Sequence, residues 1–110
     1  MRKSHTHTHT HILLWFQYIE NLDKLRKLQV LNLSNNMIER IEKLDKLVRL
    51  RELNIAHNCI SRLEGIEHLM GLQVLNVSGN DIEHIPAWLP KKLQSLRTFR
   101  ISDNKLASVS

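Results

Sequence analysis

At 110 residues, 42% of them hydrophobic, the chain has room for one domain with a core. Three glycines and two prolines leave little for a long disordered linker, and a single cysteine rules out an intramolecular disulfide framework and fits a reducing compartment. The formal net charge of +5 sits at the two ends, since residues 18–90 hold nine Lys/Arg against ten Asp/Glu, and the basic face that a nucleic-acid partner requires is not expected.

The first segment is compositionally odd. Arg2 and Lys3 followed by the apolar residues 12–16 superficially suggest a signal peptide. That apolar stretch is only five residues long and no small-residue cleavage site follows it, so the cytoplasm is the expected compartment. No apolar run approaches membrane-spanning length, and no membrane partner is expected. His5, His7, His9 and His11 alternate with threonine, and in an extended chain they would project on one side and could collect zinc or nickel. Nothing in the pattern orients them and no second ligand cluster accompanies them, so no metal site is assigned. Alternating His-Thr is also what a CA-dinucleotide repeat encodes, and Phe16-Gln17 can be read from TTTCAG, a typical intron end. On this reading residues 1–17 are a disordered, intron-derived segment ahead of an exon beginning near Tyr18.

From Leu25 onward a repeat takes over. The first turn reads Leu25, Leu28, Leu31, Leu33, Asn36, Ile38, Ile41, Leu44, and 22 residues later come Leu47, Leu50, Leu53, Ile55, Asn58, Ile60, Leu63, Ile66. The third reads Leu69, Leu72, Leu75, Val77, Asn80, Ile82, Ile85, Trp88. After a two-residue insertion the fourth gives Leu93, Leu96, Phe99, Ile101, Asn104, Leu106, Val109. Ile19 and Leu22 supply half a turn ahead of the first. Residues 18–110 therefore form one repeat domain of about four turns that ends mid-repeat.

Each position has a physical task. The alternation Leu31-Asn32-Leu33 is a strand with its leucines on one side, as are Leu53-Asn54-Ile55, Leu75-Asn76-Val77 and Phe99-Arg100-Ile101. One strand per turn, always returning in the same direction, builds a parallel sheet. Asn36, Asn58, Asn80 and Asn104 follow the strands where the chain turns inward, and an amide with donors and an acceptor can satisfy neighbouring backbones there. Glu39, Arg40, Glu42, Lys43, Asp45 and Lys46 read as a solvated outer face carrying a short helix or 3-10 turn.

The pattern L-x-x-L-x-L-x-x-N-x-I resembles the leucine-rich-repeat signature, in the short 22-residue class found in phosphatase-1 regulatory subunits, axonemal dynein-associated proteins and centrosomal proteins. The resemblance implies an α/β repeat: a right-handed solenoid with a parallel sheet on its concave face and short helical or 3-10 turns on its convex face. Ile41-Glu42-Lys43-Leu44-Asp45-Lys46-Leu47, and Ile85-Pro86-Ala87-Trp88-Leu89 with Lys91-Lys92 behind it, are similar to the N-terminal repeats of a centrosomal coiled-coil scaffold family. This implies a protein-interaction module at the centrosome or cytoskeleton. The same class leaves open a regulatory subunit of protein phosphatase 1 or a dynein-associated protein. The mid-repeat end leaves open a truncated product with no independent role.

Strand residues opposite the core face the concave side of a solenoid, its usual recognition face. The candidate partner-binding residues are therefore Val30, Glu52, Val74 and Thr98 in one column and Asn32, Asn54, Asn76 and Arg100 in the next. Glu52 and Arg100 are the individual choices, because Asn in that column also suits a strand that has no partner. His57 and Cys59 look superficially like a base and a nucleophile. They fall in the turn after a strand with no third group to orient the histidine, and the positions equivalent to Cys59 hold Met37, Asp81 and Lys105. No enzyme, cofactor or small-molecule substrate is expected. His68 and His84 occupy the outer face, and Trp88, at the position of Leu44 and Ile66, is read as core in a turn widened around it by Pro86 and Pro90.

Overall fold

The computed structural model describes the backbone of residues 9–11, together with Leu22 and residues 25–107. A five-stranded parallel sheet runs in chain order: β1 (His9–His11), β2 (Val30–Asn32), β3 (Glu52–Asn54), β4 (Val74–Asn76) and β5 (Thr98–Arg100). Its register follows the repeat, with Leu31 beside Leu53, Leu53 beside Leu75, and Leu75 beside Phe99.

Period-two patterning puts the central leucine of each strand inward. Leu31, Leu53 and Leu75 are fully buried, and so are Leu33, Ile55 and Val77 just beyond the strands. The returning segments close the core from the other side with Ile38, Ile41, Leu44, Ile60, Leu63 and Ile66. There the expected short helices are mostly single tight turns. Leu47 N–H bonds to Leu44 carbonyl at 3.0 Å and Leu50 N–H to Leu47 carbonyl at 3.2 Å, and the same i to i+3 pair recurs at Leu69 and Leu72. Among the described residues the α-helix is α1 (Leu89–Lys92), in the turn that is two residues longer.

Three expectations need correction. The first concerns three residues within the segment expected to be disordered: His9–His11 form β1, paired with β2 so that His9 stands beside Val30. That offset is 21 residues, one short of the repeat, which a search for the 22-residue pattern passes over. A parallel partner there satisfies backbone groups that β2 would otherwise leave open at an edge. The His-tract side chains, Ile19 and Val109 lie outside the described residues.

The second correction is Ile85, expected in the core and 47% exposed. The insertion lets α1 begin after Pro86, whose carbonyl accepts the Leu89 N–H at 3.1 Å, and Leu89 takes the inward place at 5% exposure. Trp88 packs half-buried against the core beside it. The third concerns the last turn. Leu96, Phe99 and Ile101 are half-buried and Leu106 is 39% exposed, because β5 is an edge strand with a neighbour on one side only.

Candidate functional site

The residues that face away from the core are set side by side by the register of the sheet. Val30, Glu52, Val74 and Thr98 form one row, and Asn32, Asn54, Asn76 and Arg100 the next. Between them runs a shallow groove of about 190 Å³ lined by all of these except Thr98, with Leu31 and Leu53 at its floor. Glu52 and Arg100 are exposed, and the others are half-buried by their neighbours across the sheet.

The asparagine row has a second task. Asn32 Oδ1 accepts the Ser34 N–H at 2.9 Å and the Ser34 hydroxyl at 2.6 Å. Asn54 Oδ1 accepts the Ala56 N–H at 2.9 Å, and Asn76 Oδ1 the Ser78 N–H at 3.1 Å. These are Asx turns that bend the chain off the end of each strand. Arg100 breaks the row. Its side chain carries no acceptor for such a turn, so the exposed guanidinium is the position least explained by local structure.

Below the groove the second asparagine series links each turn to the one before it. Asn58 Nδ2 donates to the carbonyls of Leu33, Ile55 and Ala56 at 3.0, 3.0 and 3.2 Å, and its Oδ1 accepts the Ile38 N–H at 3.0 Å. Asn80 repeats this with Ile55, Val77 and Ser78 and with the Ile60 N–H. Asn104 does so with Val77, Ile101 and Ser102 and with the Ile82 N–H. Asn36 donates to the Leu33 and Ser34 carbonyls of its own turn. The residue before each of them, Asn35, His57, Gly79 and Asp103, has φ between 56° and 71°. Asn, Gly and Asp suit that left-handed position, and His57 occupies it against Gly79, where a built Cβ would meet His57 Nδ1 at 2.5 Å.

Cys59 is exposed on a different groove, of about 640 Å³, which Glu39, Arg40, Glu42, Ser61, Arg62, Glu64 and Asp81 also line. Lys105 bridges to Asp81 there at 3.2 Å. His68 Nε2 lies 3.0 Å from the Leu44 carbonyl, a contact between successive outer turns.

A third groove, of about 400 Å³, opens at the residues leading into the strands and is lined by Gln29, Arg49, Arg51, Gly71, Gln73 and Ser95. Sequence reasoning passed over these residues because it weighed the apolar positions of each turn and the net charge of the whole middle. The same 22-residue spacing could have found them: Gln29, Arg51 and Gln73 are one column, Arg49 and Gly71 another.

Comparison with known proteins places the chain. The sequence pattern described as "Leucine Rich repeats (2 copies)" matches residues 26–68 and 48–87. The chain is 81% identical over 80 residues to centriolin of Mus musculus, an alignment that covers 73% of this chain and 3% of centriolin. Among solved structures, internalin C2 of Listeria monocytogenes superposes with a TM-score of 0.71 at 32% identity, over 81% of this chain and 38% of the internalin. An internalin (inlF) of the same organism superposes with a TM-score of 0.72 at 25% identity, over 90% and 29% of the two chains.

Proposed function

We propose that this chain, which belongs to the leucine-rich-repeat family, is a protein-binding module of a centrosome-associated scaffold. Its partner docks on the outward sheet face around Glu52 and Arg100. The observation that carries the centrosomal part is the 81% identity to centriolin over 80 residues. The placement of the partner rests on Glu52 and Arg100, two exposed and oppositely charged side chains on one groove. The neighbouring asparagines use their Oδ1 atoms on their own backbone, and Glu52 and Arg100 are the charged groups of this face with which a partner would find its register. Val30 and Val74 supply apolar contact on either side of Glu52.

The test is proximity labelling in cells with the chain fused to a biotin ligase, comparing wild type with Glu52→Lys and Arg100→Glu. Exposed substitutions shift stability by only about 0.5 kcal/mol, whereas like charges meeting across an interface cost several kcal/mol, so capture should fall while folding holds. Glu42→Lys, on the other groove, is the control. Centrosomal proteins recovered by wild type and control but lost with both variants support the proposal. Recovery of the phosphatase-1 catalytic subunit as the main Glu52-dependent partner would replace it with the regulatory reading. Unchanged capture by both variants would remove the assignment of the face.

A further inference from the structure

We infer that the groove leading into the strands is a second docking site, made for an acidic, extended segment of a protein partner. The charged side chains that line it, Arg49 and Arg51, are both cationic and both exposed. Among the described residues no carboxylate lines it, whereas four, Glu39, Glu42, Glu64 and Asp81, outnumber the two arginines, Arg40 and Arg62, in the groove of about 640 Å³. A middle region that is nearly neutral in sum is therefore divided by the fold into surfaces of different sign.

The backbone holds the row in place. The Gln29 carbonyl accepts the N–H groups of Arg51 and Glu52 at 2.8 and 3.0 Å, that of Arg51 accepts those of Gln73 and Val74, and that of Gln73 accepts those of Arg97 and Thr98. Gln29, Arg51, Gln73 and Arg97 thus follow one another at the strand spacing of about 4.8 Å, with Arg97 continuing the row beyond the groove. Arg51 and Arg97, two strands apart, are separated by about 10 Å at the backbone, close to the rise of about 9 Å over three residues of an extended polyproline II segment, whose three-residue turn puts positions i and i+3 on one face. Carboxylates three residues apart on a segment crossing the strands would each meet a guanidinium fork, and the Gln73 amide between them offers a donor to the segment's backbone.

Gly71 keeps the groove open. It does not have a positive φ, and a built Cβ there meets nothing closer than the Leu50 carbonyl oxygen at 3.9 Å, so the fold itself does not require a glycine. A larger side chain would enter the space beside Arg49. Among the described residues the lining holds no aromatic ring for base stacking, and two arginines are few for a phosphate backbone, which favours a peptide over a nucleic acid.

The experiment measures binding of a short fluorescein-labelled poly-glutamate peptide to the full 110-residue chain by anisotropy at low salt. Arg49→Glu with Arg51→Glu should weaken binding about ten-fold or more, since two favourable charge pairs become repulsive. Gly71→Leu should also weaken it, with no change of charge, while Gly71→Ala should bind as wild type does. Lys91→Glu with Lys92→Glu, the same charge change placed elsewhere, should stay within about two-fold of wild type. Circular dichroism checks that each variant remains folded. Equal loss from the Lys91/Lys92 variant would reduce the effect to net charge and overturn the site. So would the absence of peptide binding, or binding that ignores both the arginines and Gly71. Tighter, Arg49- and Arg51-dependent binding of labelled poly-uridine would overturn it in favour of a nucleic acid.

Discussion

The turn around β3 and the turn around β5 use the same residue pattern and end in different states. Leu53 is 1% exposed and Ile55 fully buried, while Phe99 and Ile101, at the same two positions, are only half-buried. The asparagines differ less: Asn104 makes the same four hydrogen bonds as Asn58, over nearly the same distances. Hydrogen bonding is thus set by each turn and the one preceding it, whereas burial needs a neighbour on both sides. Stability in such a stack is a sum over adjacent interfaces, and a turn with one interface receives less.

The sharpest way to break that comparison is a matched pair of core truncations. Leu53→Ala should cost about 2–5 kcal/mol, as for a buried leucine, and Ile101→Ala only about 1–2 kcal/mol, measured by urea unfolding. Equal losses would mean that β5 is covered as completely as β3.

The asparagines sharpen it next. Asn58→Ala strips the Ile38 N–H of its acceptor inside the protein, and unpaired buried groups cost roughly 1–3 kcal/mol each, so a loss of about 2–4 kcal/mol is expected. Asn104→Ala should cost about 1 kcal/mol, because water can reach the half-buried groups it leaves behind. Amide hydrogen exchange at Ile38 and Ile82 reads the two sites separately, with the larger loss of protection expected at Ile38.

The smallest effect separates two glycines within the middle of the stack. Gly65 has φ +76°, and a Cβ there would lie 2.6 Å from the Ile41 carbonyl oxygen, so Gly65→Ala should destabilise by about 1–3 kcal/mol. Gly71 has neither constraint, and Gly71→Ala should stabilise by up to about 1 kcal/mol by restricting the unfolded chain. Thermal melts of the two variants moving in the same direction would contradict the structural assignment of Gly65.

The repeat made much of the fold legible. A Leu, Ile, Val or Phe at a fixed offset announces burial, and Asn36, Asn58, Asn80 and Asn104 announce a turn that needs an amide. Ile85 was misread because a two-residue insertion shifts the inward face, and the pattern alone does not show where the extra residues are absorbed. They are absorbed in α1, which has Pro90 in its first turn and whose Leu89 donates its N–H to the Pro86 carbonyl and turns its side chain inward. β1 was passed over because Thr10, beside Leu31, is not a core-type residue, and a backbone pairing needs no particular side chain. Of the candidate surface, the outward rows followed from period-two alternation. The Asx turns of Asn32, Asn54 and Asn76 did not, because only coordinates show which acceptor an amide side chain has found.

By itself the sequence determined the period, the parallel sheet and which face of each strand would be buried, because these depend on offsets within one turn and are repeated until accident is excluded. The tertiary structure alone decided how charges scattered over successive turns are sorted. Stacking aligns residues 22 apart at strand spacing, so Arg51 approaches Gln73 and Arg97 while Glu39, Glu42 and Glu64 line a different groove. Net charge sums over the chain, but a partner meets only the charges within about one Debye length of the surface it touches.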